Sequence, residues 1–188
     1  MFKWMILGVS MFFASLFNFF GGTTDPNKKN EVLMNSIVES SIKQLKSRYG
    51  LIPVGRGGGN KDDKSKREYV AFQVRHKLTK EEARVLLVEI VELFLHNING
   101  NPNIAHYLYN NPFTYHNLEF RVFVLEKDGS DSFDPDIGLV SLTRRGTVNY
   151  ITYVPGTLGD YATDVEESYE EAYKIVTQGT ISEPRSSS

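Results

Sequence analysis

The sequence predicts an α+β domain, a mostly antiparallel four-stranded sheet packed by three main helices in the order α-β-α-β-β-β-α. Three observations predict it. Apolar residues recur at helical spacing in three stretches, and they alternate with polar residues in four others. The order of these stretches lacks the regular strand–helix alternation that a doubly wound parallel sheet requires.

The first helix follows from Leu33, Ile37, Val38, Ile42 and Leu45, which fall on one face. Lys43, Lys46 and Arg48 complement its C-terminal dipole, and Gly50 is placed to close it in a left-handed conformation. The next segment, GLIPVGRGGGNKDDKSK, combines a proline, several glycines and dense charge, and reads as an exposed or ligand-facing loop. Residues 67–77 alternate, with Val70, Phe72 and Val74 on one face, and give the first strand. Thr79 and Glu82 form a T-x-x-E capping box ahead of ARVLLVEIVELFLHNI, so the second helix starts at Thr79 and buries a wide arc. NGNP stops it, and one short helical turn is expected within Ile104 to Tyr109.

Leu118, Phe120, Val122 and Val124 alternate into the second strand. Ile137–Thr143 and Thr147–Val154 follow as the third and fourth, joined by a tight turn at Arg145 and Gly146. The last helix is expected to open at Thr163 or Asp164, to face inward with Val165, Tyr169, Ala172 and Val176, and to end at Gly179. The domain then spans 31–179, preceded by a linker over 23–30 and followed by a disordered tail over 180–188.

From Trp4 to Phe20 no side chain is charged, and Lys3 precedes the run. Residues 1–22 read either as a cleaved signal peptide or as an N-terminal membrane anchor spanning residues 4–20. Lys3 and the amino terminus compete with Lys28 and Lys29 in orienting an anchor, and the domain is expected outside the cytoplasm, in the cell envelope or secreted. The formal charge of −2 offers no field for nucleic acid, so none is expected as a partner. The absence of cysteine excludes disulfides, thiol nucleophiles and thiolate metal sites, and no cofactor motif is completed.

Four local constellations are candidates for chemistry. Tyr107, Tyr109, Phe113 and Tyr115 crowd HYLYNNPFTYH, and such amphipathic rings suit a surface that docks a protein partner. Burial at the edge of a small core is the competing reading. Arg56, Gly57, Gly58 and Gly59 let backbone amides approach an anion, although neither a P-loop nor a dinucleotide fingerprint is present. Glu92 and His96 stand at i,i+4 as a candidate metal pair, and Asp128, Asp131, Asp134 and Asp136 supply the carboxylate density that calcium uses. Exposed turns use the same Asp, Gly and Ser residues without any ion.

The segments GLIPVGRGGG, LTKEEARVLLVEIVELFLHNIN, YLYNNPFTYHNLEF and ESYEEAYKIV together resemble small leader-bearing uncharacterised proteins of intracellular bacteria. That resemblance spans most of the domain and implies no activity or site residue. The residues therefore favour a non-enzymatic interaction domain that is exported or tethered, with a metal-binding protein or a hydrolase using His and Asp or Glu as the alternative.

Overall fold

The computed structural model describes residues 26–157 and 159–181. The leader expected over 1–22 and the tail from 182 onward lie outside the described residues. Among the described residues no helix is long and apolar enough to cross a membrane.

The class is α+β, with three helices and one six-stranded sheet. The elements are α1 (Pro26–Tyr49), β1 (Ile52–Lys61), β2 (Lys64–Val74), α2 (Lys80–Asn99), β3 (Leu118–Val124), β4 (Leu139–Leu142), β5 (Thr147–Tyr153), β6 (Tyr161–Ser168) and α3 (Tyr169–Ile181). The helix α1 therefore takes in most of the expected linker, and α3 reaches two residues beyond Gly179. The strands lie in sequence order across the sheet. All neighbours are antiparallel except β2 and β3, which run parallel because the connection between them carries α2.

The expected four-stranded sheet is thus too small by two strands, and each has a physical explanation. The glycine-rich segment read as a loop is β1, paired antiparallel with β2 from Ile52 opposite Gln73 to Lys61 opposite Lys64. Asp62 and Asp63 close this hairpin with φ of 51° and 57°, the double left-handed conformation that matches the twist of the flanking strands. Its place at the sheet edge tolerates Pro53, whose missing N–H leaves no gap in a central ladder.

At the other edge, the acidic residues taken as a helix start form β6. Asp164 and Glu166 both accept from Asn149 Nδ2 of β5, at 3.1 and 2.8 Å. The true start of α3 comes later, where the Ser168 hydroxyl accepts from the Glu171 amide at 3.1 Å.

Other local expectations hold. Thr79 caps α2 through a complete capping box: its hydroxyl accepts from Glu82 N at 3.2 Å, while its own amide donates to Glu82 Oε2 at 2.8 Å. Gly50 and Gly146 both sit at positive φ, 67° and 79°. One apolar cluster runs from Met34 of α1 through Leu87, Ile90 and Phe94 of α2 to Ala172 of α3, against Phe72, Phe120 and Leu142 of the sheet. Phe94 meets Phe120 edge to face, with centroids 4.9 Å apart. The helix α2 packs against both α1 and α3, so the helices share one sheet face and α1 overhangs the β1 edge.

Candidate functional site

Between α1 and the β1–β2 hairpin lies a cleft of about 510 Å³, within the usual range for small-molecule sites. Glu31, Met34 and Asn35 come from α1, Arg56 to Asn60 from β1, Ser65 and Glu68 from β2, and Tyr107 from the short 3-10 turn Ala105–Tyr107.

Glu68 is the unusual member. It shares the buried phase of β2 with Val70, Phe72 and Val74, and is only 7% exposed. Ser65 Oγ donates to its Oε1 at 3.1 Å. Burial pushes the Glu68 carboxyl above the usual carboxylate range, against the opposing pulls of the Ser65 hydrogen bond and the Arg56 charge. Gly58 stands opposite Glu68 on β1, and a β-carbon there would lie 3.4 and 3.6 Å from the two carboxylate oxygens. Alanine at 58 would put a methyl group in van der Waals contact with that carboxyl.

The residues Arg56, Gly57, Gly58 and Gly59, expected to hold an anion, do line this cleft. Its electrostatics run the other way. Arg56 already donates to Asn35 Oδ1 at 2.6 Å and to Glu39 Oε1 at 3.2 Å. Glu31 stands across from Glu68, and Asn60 Nδ2 is directed to the Tyr107 hydroxyl at 3.3 Å and to Glu31 Oε1 at 3.5 Å. Two carboxylates, Glu31 and Glu68, line the cleft against one cation, Arg56, which is already engaged, and such a lining suits a ligand that donates hydrogen bonds.

The aromatic segment is divided: Asn110, Asn111 and Pro112 face solvent, while its four rings are buried or half-buried. Tyr107 and Phe113 are 3% and 2% exposed and belong to the core. Asn99 fixes the backbone of Phe113 from both sides, donating to its carbonyl at 2.9 Å and accepting from its amide at 2.8 Å. Tyr109 is half-buried beneath Lys61, and Tyr115 is half-buried against Tyr169, with centroids 4.7 Å apart.

The metal candidates are dispersed among separate partners. Glu92 accepts from the Tyr169 hydroxyl at 2.8 Å, a bond between α2 and α3, and His96 lies exposed at the end of α2. Asp128 accepts from the Ser130 amide and hydroxyl at 2.9 and 2.7 Å, which closes a turn and holds its carboxyl below the usual range. Asp134 accepts from Thr152 Oγ1 at 2.9 Å, Asp136 pairs with Lys77 at 2.6 Å, and Asp131 is exposed. Among the described residues no three His, Asp or Glu side chains converge to hold a metal ion. A stretch of four acids over nine positions spreads along an irregular loop rather than folding around one point.

Sequence reasoning missed Glu68, Ser65 and the α1 wall. A signal existed: in KREYVAFQV, Glu68 keeps the phase of the apolar residues, and a carboxylate at a buried strand position calls for a role. No protein-family model, curated protein or solved structure matches the chain.

Proposed function

We propose that this chain is a non-enzymatic binding domain, exported or tethered through residues 4–20, that recognises an amine or guanidinium group in the α1–β1 cleft. The observation that carries the reading is the Glu68 carboxyl, a buried acid that lines an open cleft with only a glycine, Gly58, paired opposite it. A cationic donor entering there would ionise Glu68 and pair with it in a site of low dielectric, where charge-assisted hydrogen bonds are strong. Met34 and Tyr107 supply apolar wall for a short carbon chain. A free amine and a basic side chain of a protein partner carry the same chemistry, which keeps the sequence-based expectation of a protein partner within this reading.

The test is ligand-observed NMR on the full-length protein with agmatine and butylamine, set against butyrate and glutarate. The amines should bind in preference, and both Glu68→Gln and Gly58→Ala should remove the signal. Preference for the carboxylates, or amine binding that survives Glu68→Gln, sinks the reading. The raised Glu68 carboxyl beside Ser65 also favours a second reading, an enzyme with Glu68 as general acid. Its signature would be turnover in a panel of esters and amides that Glu68→Gln abolishes.

A further inference from the structure

We propose that a second pocket, at the tip of the β1–β2 hairpin, binds a small molecule bearing an oligophosphate group. This site is separate from the amine cleft and does not depend on it, although Gly59 and Asn60 border both. It encloses about 370 Å³, and its lining includes Lys61, Lys66, Arg67, Arg144 and His116 with no carboxylate among the lining residues.

Four permanent cations meet here in a chain whose formal charge is −2. They come from two places far apart in sequence: the hairpin, and the turn between β4 and β5 that carries Arg144. Folding has concentrated them against the average charge of the molecule. Lys66 and Arg67 enter no ion pair among the described residues. Lys61 donates to the Tyr109 hydroxyl at 2.8 Å, and the Tyr109 ring lies 4.8 Å from its ammonium and 5.7 Å from that of Lys66. One ring thus holds two like charges together without neutralising either. Acids act only from outside the lining: Asp62 attracts Lys61, and Glu119 approaches Arg144 at 3.5 Å.

The position of Arg67 depends on a glycine. A β-carbon at Gly59 would fall 2.4 Å from Arg67 Nε, so glycine lets the guanidinium lie across the neighbouring strand. A planar guanidinium beside two ammonium groups fits phosphate oxygens bidentately, and several cations in so small a volume call for a compact multiply charged anion. The site is a concavity of small-molecule size, not an extended stripe, and the whole-chain charge lends no support to binding a nucleic-acid or membrane surface.

The experiment is isothermal titration calorimetry of the full-length protein, in uncharged detergent, with sodium tripolyphosphate, orthophosphate and citrate. Tripolyphosphate should bind at least about tenfold more tightly than either comparator, and Arg67→Gln should weaken it by roughly tenfold or more, as loss of a charged hydrogen-bonding group does. Gly59→Ala keeps every charge but displaces Arg67, and should weaken binding in the same direction. Arg48→Gln, on α1 and outside both cavities, should leave it unchanged. A parallel titration with adenosine triphosphate separates the sources: equal affinity assigns recognition to the phosphate chain, tighter binding to a nucleotide. Absence of tripolyphosphate binding, affinity unaffected by Arg67→Gln, or citrate bound as tightly as tripolyphosphate would overturn the proposal.

Discussion

Replacing Arg84 by Met should be among the most damaging single changes in the domain. Arg84 of α2 donates from Nε and Nη2 to Glu167 of β6 at 2.8 and 3.1 Å, a bidentate pair whose side chains are 10% and 7% exposed. The Tyr150 hydroxyl donates to the same carboxylate. Methionine keeps most of the arginine stem but removes the fork, so Glu167 is left buried with Tyr150 as its remaining donor. Breaking one side of a buried pair in this way costs about 3–5 kcal/mol. For a domain of this size each kcal/mol lowers Tm by about 2–4 °C, which gives a fall of roughly 6–20 °C.

The pH dependence follows from Glu167. Burial pushes its carboxyl up, but the Arg84 and Tyr150 hydrogen bonds outweigh that and hold it below the usual range. The folded state therefore binds this proton less readily than the unfolded one. Its contribution is full above the usual carboxylate range and is lost as pH falls through the depressed folded value. In Arg84→Met the buried carboxyl can protonate instead, so the gap to wild type should narrow as pH falls. Urea denaturation at a series of pH values, followed by circular dichroism, measures both effects. Replacing both partners, Arg84→Met with Glu167→Leu, should cost less than Arg84→Met alone. A loss under about 1 kcal/mol for the single variant, the range of an exposed pair, would refute the reasoning.

Two further outcomes are expected. Because burial raises the Glu68 carboxyl, the folded state takes up its proton more readily than the unfolded state, and stability falls as pH rises from the ordinary carboxylate range through the raised value. Glu68→Gln should therefore be more stable than wild type at neutral pH and lose that advantage in acid, as parallel thermal melts would read. Thr79→Ala removes the α2 cap and should cost about 1 kcal/mol in urea midpoint analysis, with Thr79→Ser close to wild type.

What was legible in the sequence was what local chemistry decides. The start of α2 needs only Thr79, Glu82 and the apolar run after them, all within one element, so cap and period agree before any tertiary contact forms. The strand β3 was legible for the same reason: four apolar residues at every second position leave one face to bury. The strand β1 was not. Its pairing is written in backbone hydrogen bonds to β2, and Gly55, Gly57, Gly58 and Gly59 have no side chains with which to show a period of two. The strand β6 failed differently, since acids near a helix start and acids alternating along an edge strand look alike until Asn149 and Arg84 are in place to receive them. The aromatic segment left burial and exposure both open because composition does not say which side of a ring meets water. Asn99, distant from Phe113 along the chain, decides that.

The element hardest to read is also the one on which both candidate sites depend, and the two facts share a cause. A strand that must expose a carboxyl on one side and admit a guanidinium on the other cannot carry side chains at those positions. Gly58 faces α1, where a β-carbon would come into van der Waals contact with the Glu68 carboxyl and lie 3.2 Å from the Arg67 carbonyl oxygen. Gly59 stands opposite Arg67 and leaves room for its guanidinium, and Gly59 and Asn60, on either side of a register shift, border both cavities. Glycine costs roughly 0.5–1 kcal/mol relative to alanine in a regular element, so a run of them within a ten-residue strand is unfavourable for the hairpin taken alone. A loop would bear that cost easily, but a paired edge strand bears it only where something else needs the space. The needs differ at adjacent positions, so alanine at 58 should disturb the amine cleft and spare the phosphate pocket, and alanine at 59 should do the reverse.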